Sequence, residues 1–143
     1  MLTPEPAFGR GTVIGLSLKI HISGNMDKTE SIMALAALAQ PTRLDIFRLL
    51  VGGEPLGFPA GELARRLTVP QNTLSGHLGI LSRAGLVTSQ RLSRSIVYRA
   101  NVERLQATIL FLLKDCCGGS TEICAPLIAD LTPCRTQKAH AHD

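Results

Sequence analysis

The sequence is poor in aromatic residues and has no long apolar run. Phe, Tyr and Trp together make up 3% of the 143 residues, and Trp is absent. Because Ala and Leu are abundant instead, the composition favours packed helices over a β-sandwich or barrel. The best candidate for a membrane span, residues 109–113, is far shorter than the roughly 20 apolar residues that a bilayer crossing needs. The sequence therefore predicts a mainly α-helical domain that does not enter a membrane.

The first 25 residues lack a helical period. Pro4, Pro6 and three glycines precede Ser23. The apolar stretch in this segment is broken by Lys19 and His21, and no small-residue cleavage pattern follows it, so we expect no secretory signal and a cytoplasmic protein. We interpret residues 1–25 as a poorly ordered N-terminal extension, since a second methionine directly precedes a good helix start at residue 27.

Cysteine is missing from the first 115 residues and then appears four times, at Cys116, Cys117, Cys124 and Cys134. Thiols distributed through a small exported domain would suggest a disulfide framework, but thiols confined to one end indicate a site. No Arg stands six positions after any of these cysteines, as a phosphatase-like anion loop would require, and the chain has no phosphate loop or nucleophile elbow. We therefore predict that the protein is not an enzyme and has no organic cofactor.

Apolar spacing predicts an ordered series of elements. A first helix from Thr29 has an apolar face, a second begins at Pro41 and stops at two glycines, and a short third covers residues 61–67. A fourth helix has a buried stripe and ends at Gly85. Two β-branched runs around a polar tip at residues 92–94 then predict a hairpin, and a last helix runs over residues 102–117. In the first helix, one apolar face is formed by Ile32, Leu35, Ala36 and Ala39 and needs a partner to pack against. In the fourth helix, the buried stripe is formed by Leu74, Leu78 and Leu81.

The strings "LAQPTRLDIFRLL", "ELARRL", "TLSGHLGILSRAGLV" and "YRAN" lie within residues 30–114. In this order they resemble the ArsR/SmtB family of metalloregulatory repressors. The resemblance implies a winged helix-turn-helix domain over residues 26–117, paired as a homodimer through its first and last helices and followed by a cysteine-containing tail at 118–143. It also implies binding to double-stranded operator DNA with an inverted repeat. We expect the tail beyond about Ala125 to be mostly unstructured.

The second helix of a helix-turn-helix enters the major groove, and its exposed N-terminal residues meet base edges. The candidate residues are Gln71, Asn72, Thr73, Ser75, Gly76 and His77. The resemblance implies DNA contacts at Ser75 and His77, whereas Gly76 departs from the bulkier residue common there. The predicted hairpin is the wing of this fold, and its Arg91 and Arg94 are further candidate contacts to the minor groove or the DNA backbone. From Arg43 to Arg99 the chain has eight arginines and three carboxylates, and this excess of positive charge suits the binding of phosphates.

The thiols follow the last predicted helix. Adjacent helical residues point about 100° apart, so Cys116 and Cys117 converge only if the helix ends near Gly118 and the chain turns back with Cys124. Three soft thiolates without His suit a pyramidal trivalent ion. The cysteine pair resembles the arsenic site of some family members, the Acidithiobacillus type, which implies As(III) or Sb(III) as inducer bound by Cys116, Cys117 and Cys124. A thiol redox switch and a Cd, Pb or Zn site that includes Cys134 stay open as alternatives.

Overall fold

The computed structural model describes residues 26–116, 118 and 120–131. Within these ranges the helices are α1 (Lys28–Leu38), α2 (Pro41–Gly52), α3 (Ala60–Leu67), α4 (Gln71–Arg83), α5 (Val102–Phe111) and α6 (Thr121–Leu131). The strands are β1 (Phe58–Pro59), β2 (Val87–Leu92) and β3 (Ser95–Ala100). The predicted extension at 1–25, Cys117 and Cys134 lie outside the described residues. The mainly α fold with a β-hairpin is confirmed.

The core forms around α4. Leu74, Leu78 and Leu81 are at most 2% exposed, which confirms the predicted stripe. They pack with side chains of α2 and α3 and with Leu86, which follows α4. Helix α4 ends at Arg83, and Gly85 takes a left-handed conformation with φ of 76°, as the predicted helix stop requires. The buried leucines thus fix the rotation of α4 and leave its opposite side free.

The hairpin belongs to a small three-stranded antiparallel sheet with strand order β1-β3-β2. Strands β2 and β3 pair from Val87 with Ala100 to Leu92 with Ser95, so Ser93 and Arg94 form the turn. Strand β1, which the sequence analysis did not predict, pairs Phe58 with Tyr98. It is only two residues long, too short to show a period-two pattern.

The apolar face predicted for α1 lies outside the core of the single chain, where it is open to a partner. Ile32, Leu35, Ala36 and Ala39 are all exposed, and the residues that α1 buries are Ser31, Ala34 and Ala37. Small side chains face inward because they let α1 lie close to the neighbouring helices. The larger apolar side chains of α1 therefore point away from the core of this chain.

The end of the domain has the predicted helix end near Gly118 and the predicted chain reversal, but it differs from the prediction in its hydrogen bonding and in the tail. The α-helical hydrogen bonding of the last predicted helix ends at Phe111, and Leu112–Cys116 form a π-helical turn. Gly118 then takes a left-handed conformation with φ of 60°, and α6 begins at Thr121. The tail was expected to be unstructured from Ala125, yet α6 continues through Pro126 to Leu131. Pro126 lacks one backbone N–H and so removes one hydrogen bond of α6, and the helix lies beside an apolar groove that it shares with Leu110 and Leu113. In the part of the chain that the structure describes, no helix has the length and apolar character needed to cross a membrane.

Leu78→Ala should lower the free energy of unfolding by about 2–5 kcal/mol, because it leaves a cavity beneath α4. Urea denaturation followed by circular dichroism measures this change. Leu56→Ala is the matched control, since Leu56 is 78% exposed and its truncation should change the unfolding free energy by less than about 0.5 kcal/mol. Equal effects of the two substitutions would contradict the assignment of Leu78 to the core.

Candidate nucleic-acid interface and thiol site

Helices α3 and α4 are joined by a tight turn at Thr68, Val69 and Pro70. Thr68 takes a left-handed conformation with φ of 54°, and the backbone N–H of Val69 donates to the carbonyl of Ala64 at 3.0 Å. This bond closes the end of α3, while Pro70 starts α4 without needing its own N–H. The two helices and the turn form a helix-turn-helix unit that presents the N-terminal end of α4.

Five of the six residues predicted on α4 as DNA contacts are exposed: Gln71, Asn72, Thr73, Ser75 and Gly76. Gln71 leans back toward α3, since its amide nitrogen lies 3.5 Å from where a Cβ on Gly61 would stand. The sixth, His77, is half-buried on the flank of the helix, and its Nδ1 is buried without a hydrogen-bond partner. The structure therefore brings short polar side chains to the free side of α4 and places His77 at its margin.

The hairpin presents the two predicted arginines. Arg91 and Arg94 are both exposed, near the end of β2 and in the turn. Two apolar side chains, Leu92 and Ile96, are also 44% and 47% exposed beside them. Guanidinium groups on a hairpin next to a helix-turn-helix are placed to contact phosphates or the minor groove beside the site that the helix occupies.

Other arginines of the domain have partners within the chain. Arg43 donates from Nε to the carbonyl of Ala37 at 2.5 Å and so caps the end of α1. Arg65 and Arg66 both pair with Glu62, and the Arg66 guanidinium lies 4.6 Å from the centroid of the Phe58 ring. Such exposed ion pairs add little stability, but they orient side chains on the helix before the turn.

A polar junction joins the end of α4 to α5 and α1. The Asn101 side chain accepts from the backbone N–H of Arg104 and donates to the carbonyl of Gly85 at 2.8 Å. Arg104 donates from Nε to the carbonyl of Ala84 at 3.1 Å and pairs with Glu30 at 3.3 Å. Sequence reasoning missed this role, because both residues fit an ordinary helix start. The partners lie up to 74 positions apart, and the sequence carries no local signal of that contact.

The thiol segment turns back on itself. After the π-helical turn and Gly118, α6 returns along the end of α5, and the Cys124 thiol lies 3.8 Å from the carbonyl oxygen of Leu113. Cys124 is half-buried. The side chain of Cys116 and all of Cys117 and Cys134 lie outside the described residues, so the three-thiol set stays a prediction. In the described ranges, no three His, Cys, Asp or Glu side chains converge as metal ligands would.

A groove separates α6 from the end of α5. It has a volume of about 510 Å³, and its walls include Leu110, Leu113, Lys114, Thr121 and Cys124. Almost all of the lining surface is apolar. A thiol at this wall is shielded on one side from bulk water.

A family model described as "Helix-turn-helix domain" matches residues 38–90 of the chain. A biofilm growth-associated repressor of Agrobacterium fabrum is 42% identical over 71 residues, covering 50% of this chain and 58% of that protein. The chain thus spans a little over half the length of this relative. The transcriptional repressor SdpR of Bacillus subtilis is 34% identical over 77 residues, covering 54% of this chain and 82% of SdpR.

A solved structure extends the match to three dimensions. An ArsR-like transcriptional regulator from Rhodococcus is 32% identical, with a TM-score of 0.54, and the match covers 73% of this chain and 92% of that one. Together with the exposed face of α4 and the basic hairpin, these matches define a winged helix-turn-helix transcriptional regulator. Within that class, the chain belongs to the ArsR/SmtB family.

Arg94→Ala should weaken binding to every duplex and reduce the slope of log affinity against log salt by about 0.9, because one phosphate contact is lost. Fluorescence anisotropy at several salt concentrations measures both quantities. Arg48→Ala removes the same charge from an exposed position on α2, which is part of neither α4 nor the hairpin, and should leave the slope unchanged. An unchanged slope in Arg94→Ala would contradict the assignment of a phosphate contact to the hairpin turn.

Proposed function

We propose that the protein is an As(III)- or Sb(III)-responsive transcriptional repressor. Its ligand-free homodimer binds an inverted-repeat operator, and it leaves the DNA when Cys116, Cys117 and Cys124 bind the ion together. The observation that carries the ligand class is the chain reversal at Gly118, which returns Cys124 to the end of α5. Cys116 ends the turn that starts directly after Phe111 in the same helix, so the reversal favours an approach of the thiols.

The chemistry of the site supports a soft trivalent ion. Thiolates are soft ligands, and a set of three without His matches the pyramidal geometry of As(III) and Sb(III) better than the four-ligand site that zinc prefers. The nearest described His, His77, lies on α4, outside the thiol segment. The apolar groove beside Cys124 would also lower the competition of water for a bound ion.

In this proposal, α5 transmits the structural change at the thiols to the recognition helix. Ligand binding would fix the π-helical turn and so change the position of α5, whose first turn contains the Arg104 side chain. Because Arg104 bonds the carbonyl of Ala84 at the end of α4, a movement of α5 also moves the recognition helix. Couplings of this kind typically change DNA affinity by about 5- to 150-fold.

Dimerisation supplies a second recognition helix for the other half-site of the operator. Outside the core, α1 exposes Ile32 and Met33, and α5 exposes Ile109 and Leu110, at 42–54% of their surface. Such apolar side chains on two helices that pack together mark an association surface. We propose that a second copy covers them, so that its recognition helix reads the other half of the operator about 34 Å away.

The alternative functions are a redox switch and a Cd, Pb or Zn sensor. Nearby thiols can form a disulfide that changes DNA affinity without any ion. The half-buried position of Cys124 against Leu113 favours a chelating thiol over a freely accessible redox thiol, since oxidation follows exposure. A four-thiol site would need Cys134 as the additional ligand.

Substitution of Cys116, Cys117 or Cys124 by Ser should abolish release from DNA by arsenite while leaving ligand-free binding intact, because Ser cannot supply a soft thiolate. The probe is a labelled duplex that the wild-type protein enriches from a random pool. Its anisotropy is followed during titration with arsenite under reducing conditions. Cys134→Ser is the matched control and should keep the full response.

Zinc, cadmium and a mild oxidant are added in parallel titrations. Release of the wild-type protein by the oxidant alone would replace the proposed sensor by a thiol redox switch. Loss of the arsenite response in Cys134→Ser would show that the ligand set is wrong.

Ile32→Lys and Leu110→Lys should each weaken the dimer, because an unpaired charge buried in an interface costs about 3 kcal/mol or more, or ~100-fold in dissociation constant. Sedimentation equilibrium distinguishes the 15.3 kDa chain from a pair. Leu56→Lys, at a position 78% exposed and outside α1 and α5, should leave the association unchanged. A dimer equally stable in all three variants would exclude this surface.

A further inference from the structure

The free side of α4 has an unusual composition. Successive residues of an α-helix turn by about 100°, so positions i, i+4, i+7 and i+11 share one ridge. The ridge opposite the buried leucines consists of Asn72, Gly76, Gly79 and Arg83. Glycine is the poorest helix former after proline, yet two glycines stand in the middle of this ridge.

Neither the backbone nor the core requires glycine at position 76. Gly76 lies within the regular helix and is exposed. A Cβ added there would meet no atom within 4 Å outside the helix backbone around it. Gly79 differs, because a Cβ there would lie 3.4 Å from the Arg83 guanidinium, which already covers that part of the ridge. Of these two glycines, only Gly76 leaves the helix backbone uncovered by a neighbouring side chain.

The side chains around Gly76 are short. Asn72, Thr73 and Ser75 are exposed, whereas the longer Gln71 leans back toward Gly61 on α3. A helix with its side chains is about 10–12 Å across, close to the 12 Å width of the major groove, so the side chains on the leading ridge limit how deeply it enters. Short side chains reach base edges only if the backbone comes close to them.

We propose that Gly76 determines the DNA specificity of α4 by allowing this close approach. Without a side chain at 76, the helix sits deep enough for Asn72 and Ser75 to contact bases. A methyl group at 76 would hold the helix away from the bases and weaken those contacts. The phosphate contacts of the hairpin arginines would persist, because long flexible side chains tolerate a small displacement.

The test compares Gly76→Ala with Gly79→Ala. Both substitutions improve helix propensity and should raise the melting temperature by roughly 2–6 °C. Gly76→Ala should lower affinity for the duplex enriched by the wild-type protein about tenfold or more, as the loss of a base contact does. Its affinity for a scrambled duplex of the same composition should stay within about twofold, and Gly79→Ala should bind both duplexes like the wild type.

Unchanged affinity of Gly76→Ala for the enriched duplex would overturn the inference, as would an equal loss in Gly79→Ala. The inference rests on the DNA-binding part of the proposed function, and all measurements use reduced protein without arsenite. A failure of the arsenite response therefore leaves it standing. If the wild-type protein enriches no duplex, both the proposed function and this inference are wrong.

Discussion

The hydrogen bonds of Arg104 and Asn101 hold the working parts of the domain in one arrangement. The last backbone carbonyls of α4 have no partners within their own helix, and here α5 supplies the donors, to Ala84 and Gly85. The same arginine pairs with Glu30 at the start of α1, where Asp27 and Glu30 also cap each other reciprocally. The recognition helix, the helix that leads to the thiols and the helix that exposes Ile32 and Met33 therefore meet at one polar junction.

The composition of this junction suits a regulator better than an apolar contact would. Hydrogen bonds to a partly buried guanidinium depend on direction, so a small rotation of α5 breaks some of them and leaves donors unsatisfied, whereas apolar contacts slide with little penalty. The π-helical turn at Leu112–Cys116 lies only two helical turns beyond Arg104 and has wider hydrogen bonding than an α-helix. A change at the thiols thus starts close to the residue that holds the end of α4.

The sequence predicted those elements whose signal is local. The leucine stripe of α4, the stop at Gly85 and the two arginines of the hairpin follow from spacing and residue type alone, and the structure has them at those positions. The apolar face of α1 followed from its spacing, but its core contacts did not, because the small residues Ser31, Ala34 and Ala37 make them. Strand β1 and the junction depend on contacts between distant segments, which local patterns do not encode, and α6 contains a proline that local patterns interpret as a helix break. The exposure of Asn72 and Ser75 followed from the helical spacing of the leucines, whereas the orientation of Gln71 depends on its contact with Gly61 on α3, which the spacing does not indicate.

Helix α4 is held along its whole length, because Leu74, Leu78 and Leu81 pack in the core while the junction holds its C-terminal end. It has 13 residues, which gives a length of about 20 Å. A tilt of about 10° about the junction would displace its N-terminal end by about 3 Å, close to the 3.4 Å rise of one base pair. Leu74 is buried near that end, so α3 and the turn would have to move with α4, and the helix-turn-helix unit would shift as one rigid body.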